Sequence, residues 1–253
     1  MARPRITLAV QSTVRLTDHL IRVNLGGPNF ASFQPNGFTD TYVKLVFPQP
    51  DGEVVRTYTV RSIDQAAQEI AIDFVYHGDE GVAGPWAAAA QPGDAIELMG
   101  PGGAYAPRAD ADWHLLAGDE SALPAIAAAC SALPADAVGR VFVEVGGPAD
   151  ELVIEKPENV ELTWVHRGDA APGEKLSAAV RAEPWLDGQV HVFIHGEAKA
   201  VMHELRPYIR KERGVPAEWA SSISGYWRRG RTEEGFRQWK SELAEQEKTR
   251  SAV

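Results

Sequence analysis

The pattern of apolar residues changes at Trp113, and this change constrains the fold more than any other feature of the chain. Before Trp113, short runs rich in β-branched and aliphatic residues are separated by turn residues, without a long helical pattern. After it, short apolar runs alternate with helical segments. Six short strands without a long helix predict a small closed barrel. Strands that alternate with helices predict a parallel sheet of the nucleotide-binding type.

These runs give the predicted elements. We expect barrel strands at residues 5–14, 19–25, 42–48, 56–61, 69–76 and 95–99. In the second part we expect strands at 114–117, 140–145, 161–165 and 190–194, and helices at 123–133 and 176–181. A further helix is predicted to open at Gly196 and to kink at Pro207, and a highly charged helix is predicted at about 232–248. We divide the chain into domains 1–108 and 109–253.

Composition limits the class of protein. A formal net charge of -10 argues against a general nucleic-acid binder. The sequence contains no apolar run long enough to span a bilayer and no N-terminal apolar targeting region, so we expect no membrane insertion. Cys130 is the single cysteine, which rules out an internal disulfide and suits a reducing cytoplasm. Its Ala-rich surroundings predict a buried structural thiol.

The predicted strand at 56–61 carries three kinds of side chain that a flavin dinucleotide needs. Tyr58 can stack on a flat ring, Thr59 can donate a hydrogen bond to a ring heteroatom, and Arg56 and Arg61 can hold phosphate in a fork. The alternative is an ordinary antiparallel strand whose arginines point outward. The hexapeptide alone leaves both interpretations open.

A second landmark runs from His77 to Ala87. Its glycines let the backbone approach a ligand, and Pro85 suits the first turn of a helix predicted at 86–90. A loop of this kind ahead of a helix is an anion site that suits a diphosphate, and Trp86 would then lie near an adenine. The alternative is a plain strand-to-helix turn with Trp86 in the core. In the strand before it, alternation turns Asp73 away from the core, toward a site or solvent.

Several segments, taken together, resemble the siderophore-interacting proteins, which are flavin-dependent ferric-siderophore reductases related to ferredoxin–NADP reductases. The matching segments run in the family's order at residues 43–48, 56–61, 73–78, 86–94, 118–125, 164–168, 195–198 and 225–230. The resemblance implies a β plus α/β architecture. A six-stranded antiparallel Greek-key β-barrel would hold FAD, and an α/β parallel-sheet domain with a C-terminal helix would take NADPH or NADH.

The same resemblance implies roles for individual residues around FAD. Tyr58 and Thr59 would contact the reacting ring. The cofactor-binding set implied in this domain is Arg56, Tyr58, Thr59, Arg61, Asp73, Val75, His77, Ala83, Gly84, Trp86 and Ala87. The chain departs from the family at 82–86, where many relatives carry Pro-Ala-Ser-x-Trp and this chain has Val-Ala-Gly-Pro-Trp. A serine hydroxyl and the backbone N–H of residue 85 are therefore missing, and Gly84 is expected to take over the contact.

The expected nicotinamide dinucleotide site lacks the usual Rossmann motif, because the sequence has no G-x-G-x-x-G. Asp119 and Glu120 follow the first α/β strand, ahead of Ser121, and their carboxylates repel a diphosphate placed there. The dinucleotide is therefore expected to lie differently from a Rossmann pyrophosphate or to bind weakly. Arg167 is the candidate contact for a 2′-phosphate, with a solvated surface arginine as the alternative. Glu144 and Glu197 are candidate ribose contacts or plain strand-end carboxylates.

The chemistry that the resemblance implies needs few acid–base groups, because the cofactor carries the electrons from nicotinamide to Fe(III) in its chelate. The histidines lack the spacing of a metal site, so we expect no protein-bound metal. Lys44, Arg228 and Arg229 are the candidate contacts for an anionic ferric siderophore. For Lys44 a solvated side chain on a barrel strand is the alternative.

Three rival functions share parts of this pattern. The first is a general NAD(P)H–flavin or quinone reductase, and the second is a reductase that takes electrons from a ferredoxin, for which the Asp119–Glu120 turn is suited. The third is a siderophore-binding protein without catalysis. For the favoured reading we expect a cytoplasmic monomer whose partner is a ferric siderophore.

Overall fold

Antiparallel pairing closes the first six strands into a barrel. The computed structural model describes residues 5–231 and Gly235. The strands are β1 (Arg5–Thr17), β2 (Leu20–Gly26), β3 (Tyr42–Gln49), β4 (Gly52–Asp64), β5 (Glu69–Val75) and β6 (Ala95–Gly102). Their order around the barrel is β1-β2-β5-β4-β3-β6, a Greek key in which β2 pairs with β5 rather than with β3. The predicted six-stranded barrel is confirmed.

Closure depends on β1, which pairs with β2 on one side and with β6 on the other. A closed barrel leaves no strand edge open to pairing with another chain. The interior is filled by alternate residues of the strands, with Val43, Val60, Ile72 and Phe74 at most 3% exposed. The residues that alternate with them along each strand point outward. The outer face of the barrel carries part of the site described below.

A second sheet follows the barrel. Its strands are β7 (Trp113–Asp119), β8 (Gly139–Val145), β9 (Val160–His166), β10 (Val190–Glu197) and β11 (Ser222–Trp227). All four pairings are parallel, in the order β11-β10-β7-β8-β9. The predicted α/β parallel sheet is confirmed, but the edge strand β11 was not predicted.

Helices cover both faces of this sheet. They are α2 (Leu123–Ala132) and α3 (Glu174–Ala182), while the barrel carries the short helix α1 (Ala83–Ala89) and a 3₁₀ turn at Phe30–Ser32. Every residue of β7 is buried, as expected for a parallel strand covered on both faces. A Cβ on Gly118 would lie 2.5 Å from the Ala122 Cβ and 2.6 Å from the His195 carbonyl oxygen. Only glycine lets β7, β10 and α2 approach so closely.

The segment after Gly196 differs from a regular helix. Two π-helical segments, Lys199–Leu205 and Tyr208–Glu212, flank Pro207. Arg206 and Pro207 keep helical backbone angles, so the predicted kink at Pro207 stays a prediction, and the hydrogen-bond pattern is wider than that of an α-helix. One face of this segment is apolar and packs on the core, since Val201, Leu205, Tyr208 and Ile209 are buried.

The two domains share an apolar boundary. Leu20 and Val75 of the barrel pack into the cluster that surrounds α2, and Tyr105 joins that cluster from the connection between the two sheets. The His19 ring nitrogen Nδ1 lies 2.8 Å from the Asp150 carboxylate across the same boundary. The domain limits 1–108 and 109–253 stay a prediction. The charged helix predicted at 232–248 lies outside the described residues, apart from Gly235.

No helix in the described part of the chain is both long and apolar enough to cross a membrane.

Candidate functional site

Tyr58 provides a braced aromatic ring at one end of the barrel. Its ring centroid lies 4.4 Å from that of Phe74, at an interplanar angle of 38°. Phe74 is fully buried and packs in turn on Trp86, with ring centroids 5.6 Å apart. Tyr58 itself is half-buried. The ring is thus held from the barrel side and keeps an accessible surface, as a stacking platform requires.

Thr59 follows Tyr58 in the strand and contacts the second domain. Its side chain shares a hydrogen bond with the hydroxyl of Tyr226, a residue of β11. The Tyr226 ring packs on His195 with centroids 4.4 Å apart, and the His195 Nε2 lies 2.9 Å from the Ser222 hydroxyl. Burial raises the pKa of Tyr226, so the phenol keeps its proton. These contacts hold the Tyr226 hydroxyl against Thr59, the residue that follows Tyr58 in the strand.

Arg56 and Arg61 are not brought together by the structure. They lie five positions apart along β4, about 16 Å at the usual rise. The neighbours of Arg61 are Arg22 and Asp73 on the outer face of the barrel. The structure thus gives Arg61 charged neighbours away from Arg56, and the phosphate contacts of both arginines stay predictions.

Helix α1 begins three residues before the predicted start, at Ala83, and it places Pro85 in the first turn. A Cβ on Gly84 would lie 3.3 Å from the Val75 carbonyl oxygen, so glycine allows α1 to pack closely on β5. The Trp86 N–H already donates to Val82 within the helix, at 3.2 Å. The free N–H groups of this turn are therefore those of Ala83 and Gly84, and Ala87 is buried behind them.

The Trp86 ring lies within the barrel cluster. It packs edge-on against Phe47, with centroids 5.7 Å apart, as well as against Phe74. This packing agrees with the alternative in which Trp86 belongs to the core, although the ring is not fully buried. The contact of Trp86 with an adenine stays a prediction.

Asp73 leaves the barrel interior, as alternation predicts, but it is not solvated. Both of its carboxylate oxygens accept hydrogen bonds from Arg22, at 2.6 and 2.8 Å, and the residue is 4% exposed. Val75 packs on the cluster around α2, and His77 is exposed beyond the end of β5. The cofactor contacts of Asp73, Val75 and His77 stay predictions, and Arg22 was missed because its partner lies 51 residues away.

Asp119 lies where the strand order of the second sheet reverses, between β7 and β10. In open α/β sheets this edge is the usual ligand site. Its carboxylate accepts hydrogen bonds from the Ser121 N–H at 3.0 Å, the Glu197 N–H at 2.8 Å and the Trp227 indole N–H at 2.8 Å. Burial raises the pKa of Asp119 to about 6. Asp119, Ser121 and Glu197 are therefore gathered at one edge, and their contacts with a dinucleotide stay predictions.

Two further carboxylates occupy helix starts at this edge. Glu144 accepts the N–H groups of Gly173 and Leu176, at 2.8 and 3.2 Å, where α3 begins. Glu197 accepts those of Lys199 and Ala200, at 2.6 and 3.1 Å, where the first π-helical segment begins. Contacts of this kind are expected if Glu144 and Glu197 are plain strand-end carboxylates, which is the alternative to ribose contacts. Backbone donors that could bind an incoming phosphate are already bound to internal carboxylates.

Arg167 is neither solvated nor available. Its guanidinium donates to both oxygens of Glu120, at 2.7 and 3.0 Å, and lies 3.5 Å from Glu144. Its side chain is 19% exposed. A 2′-phosphate would have to displace Glu120 from Arg167, so that contact stays a prediction with an added cost.

The basic residues predicted to meet a siderophore lie on two elements. Lys44 lies on β3, beside Thr57 of β4, and one register position from the pair of Val43 and Tyr58. Arg228 and Arg229 follow β11, and the Arg229 N–H lies 3.3 Å from the Glu197 carboxylate that accepts it. Their roles stay predictions. Residues 5–231 contain no group of three metal-ligating side chains close enough to hold a metal ion.

The barrel and the five-stranded sheet together define the fold of the ferredoxin reductases. A ferredoxin NADP+ reductase from Neisseria gonorrhoeae, solved with bound FAD and NADP, has this fold, with a TM-score of 0.62 and 16% identity. The alignment covers 83% of this chain and 92% of the reductase chain. A siderophore utilization protein from T. fusca is more similar, with a TM-score of 0.82 and 38% identity over 90% of this chain and 94% of that one.

Sequence comparison narrows the class to a family. Residues 111–230 match the family described as siderophore-interacting protein, and residues 9–55 and 51–105 match the siderophore-interacting FAD-binding domain. An uncharacterized protein of Mycobacterium tuberculosis is 57% identical over 97% of this chain and 98% of its own length. The ferric vibriobactin reductase of Vibrio cholerae is 33% identical over 87% and 88%. The chain belongs to the siderophore-interacting protein family, and its barrel is the family's FAD-binding domain.

Proposed function

We propose that this protein is a cytoplasmic FAD-dependent reductase that passes electrons from a reduced nicotinamide dinucleotide to ferric iron in a siderophore, and so releases Fe(II). The observation that carries the proposal is the contact of Thr59 with Tyr226 beside the Tyr58 ring. It joins the FAD-binding domain to the α/β domain at the place where a reacting ring has to lie. The similarity to a ferric vibriobactin reductase supports the choice of substrate.

The residues of this junction fit FAD. Tyr58 offers a partly accessible ring for stacking, Thr59 offers a hydroxyl, and Arg56 offers a guanidinium. The turn at Ala83 and Gly84 offers backbone donors, and a Cβ on Gly84 would lie 3.3 Å from the Val75 carbonyl oxygen of β5. Bound FAD accepts a hydride and gives up single electrons, which links a nicotinamide to Fe(III).

The two hydroxyl groups have separate tasks. Tyr226 is protonated because burial raises its pKa, so it can donate to the Thr59 oxygen. The Thr59 proton would then be available for a hydrogen bond to a flavin ring held against Tyr58. Because Thr59 is 8% exposed, this hydrogen bond acts away from bulk water, where such a contact is stronger.

The α/β domain would receive the electron donor at the edge formed by β7 and β10. Internal carboxylates already hold the backbone donors there, so a dinucleotide binds by displacing them. Lys44, Arg228 and Arg229 would gather an anionic ferric siderophore by charge. Ferredoxin as the donor is the alternative within the same chemistry.

The test is a spectroscopic titration of full-length protein prepared with excess FAD. We expect a yellow protein that bleaches anaerobically with NADH or NADPH, added in parallel, and regains its colour when a ferric siderophore is added. A colourless preparation would contradict the flavin site. Bleaching that iron does not reverse would favour a general flavin reductase, and bleaching only by reduced ferredoxin would favour the ferredoxin-dependent alternative.

A further inference from the structure

A cavity of about 240 Å³ lies between the outer face of the barrel and the start of α2. Its charged lining consists of Arg22, Arg61 and Asp73 of the barrel. The opposite wall is mainly apolar and comes from the α/β domain, with Leu123 and Ala127 among its residues. The cavity is thus built by both domains. Its lining includes neither Tyr58 nor Thr59 nor any residue of α1, but it does include Arg61 and Asp73, which the resemblance assigns to FAD.

The charges around this cavity do not balance. Arg22 and Asp73 neutralise each other through two hydrogen bonds. Arg61 is half-buried, and among residues 5–231 it has neither a hydrogen-bond partner nor an ion-pair partner. Burial, followed by the nearby charge of Arg22, lowers the pKa of Arg61. A desolvated guanidinium without a counter-ion is unfavourable, and an anion in the cavity would relieve it.

Neighbouring groups do not supply this anion. Glu155 lies within electrostatic range of Arg61, but its side chain is exposed at the surface and makes no hydrogen bond with Arg61 in the described structure. The thiol of Cys130 is also near, and burial raises its pKa to about 12, so it is neutral. Within residues 5–231, Arg61 therefore has no paired counter-ion, and an anionic ligand would supply one.

We propose that the cavity binds a small monocarboxylate, whose two oxygens pair with the Arg61 guanidinium and whose apolar body packs on Leu16, Leu123, Ala127 and Ile154. A planar carboxylate matches the two-pronged donor set of arginine. A single negative charge fits better than two, because Asp73 and Glu155 repel the second. A volume of about 240 Å³ is enough for a short aliphatic or one-ring acid.

Occupation of the cavity has a structural effect. The carboxylate is held by the barrel and the apolar body touches α2, which begins just after the Asp119–Ser121 turn. A bound anion therefore ties the two domains together close to the proposed nucleotide edge. We expect it to raise the thermal stability of the FAD-saturated protein by mass action.

The test uses full-length, FAD-saturated protein, with benzoate and butyrate as probes and calorimetry and thermal melting as readouts. We expect saturable binding and a rise in Tm with both acids, and weaker binding of inorganic phosphate at pH 8. Arg61→Gln should weaken carboxylate binding at least tenfold while FAD affinity and the visible spectrum stay unchanged. The exposed Arg15→Gln on β1 is the matched control and should bind the acids like the wild type.

A second variant keeps the arginine and removes the space. Ala127→Leu should fill the cavity from α2, and it should abolish carboxylate binding without loss of FAD. The proposal is overturned if neither acid binds saturably, if Arg61→Gln or Ala127→Leu binds them like the wild type, or if phosphate binds more tightly than the acids. Loss of FAD from Arg61→Gln would also overturn it, since Arg61 would then belong to the cofactor site.

Discussion

Tyr226 and Thr59 share a hydrogen bond across the boundary between the two domains. Tyr226 lies on the edge strand of the parallel sheet and Thr59 on a barrel strand, so the contact joins residues that are far apart in the chain. Because Tyr58 precedes Thr59, the orientation of this hydroxyl relative to a stacked ring depends on the position of the α/β domain.

Tyr226→Phe should slow flavin reduction while leaving FAD bound. Losing one buried hydrogen bond costs about 1 kcal/mol, or roughly a fivefold loss in rate if the bond acts at the reacting edge. Stopped-flow bleaching of the flavin by NADH or NADPH measures the rate. Tyr105→Phe is the matched control, because the buried Tyr105 hydroxyl has no hydrogen-bond partner in the described residues. Equal rates in Tyr226→Phe and wild type would show that the hydroxyl does not act in the reaction.

Glu120→Gln should raise the preference for NADPH over NADH. The substitution removes the charge that holds Arg167 in a two-point contact, so the guanidinium can turn to a 2′-phosphate. Hydrogen bonds to charged groups contribute about 1.5–3 kcal/mol, so the ratio of kcat/KM values for NADPH and NADH should rise on the order of tenfold. Glu161→Gln, which removes an exposed partner of Arg140, should leave the ratio unchanged. An unchanged ratio in Glu120→Gln would exclude Arg167 as the 2′-phosphate contact.

Lys44→Ala should weaken the use of an anionic ferric siderophore without bleaching the bound flavin. One partly exposed charge is worth less than about 1 kcal/mol, so the apparent KM should rise roughly two- to fivefold at low salt. The rise should shrink as salt is added, because ions screen the attraction. The exposed Lys211→Ala serves as the control. A KM equal to that of the wild type at low salt would refute the assignment.

The protein should lose stability in mild acid because of two buried histidines. Burial lowers the pKa of His114 and of His191 to about 4. Each histidine in the unfolded chain takes up a proton near its ordinary pKa of 6.5, so the stabilising contribution is complete above that pH. It is lost as the pH falls toward 4, on the order of 3 kcal/mol for each residue.

His191→Phe tests this pH dependence. The phenyl ring can keep the stacking on Tyr105, where the His191 ring lies 4.7 Å away, and it removes the titrating group. Urea unfolding at pH 7.5, 6 and 5 should show a smaller acid loss in the variant than in the wild type. Parallel curves for the two proteins across this range would contradict the assignment, and the exposed His166→Gln is the control.

Much of the fold could be predicted because its signals are local. Alternating apolar residues set the barrel strands, and the change at Trp113 set the parallel sheet. The edge strand β11 escaped because Ser222–Trp227 alternates Ser and Gly with apolar residues and forms a strand only by pairing with β10. Likewise, a periodic apolar face predicts a helix after Gly196 but cannot distinguish π-helical from α-helical hydrogen bonds.

The candidate site was harder to predict because it depends on pairs distant in sequence. Alternation turned Asp73 out of the barrel, but its partner Arg22 follows only from the pairing of β2 with β5. The Tyr226 segment was part of the family resemblance, yet its hydroxyl could be linked to Thr59 only after the domains were placed together. Arg61 was assigned to a phosphate from its neighbours in sequence, whereas its neighbours in space are Arg22 and Asp73.

The carboxylates of Glu144 and Glu197 act on the nucleotide edge as tethered competitors. Each is anchored on its own strand, so it meets the backbone donors at an effective concentration that is millimolar or higher. A free dinucleotide has to outcompete them before it gains a single contact there. Selectivity at this edge therefore depends on which incoming group best compensates for the displaced carboxylate contacts. The same competition keeps the affinity for the electron-donating dinucleotide modest.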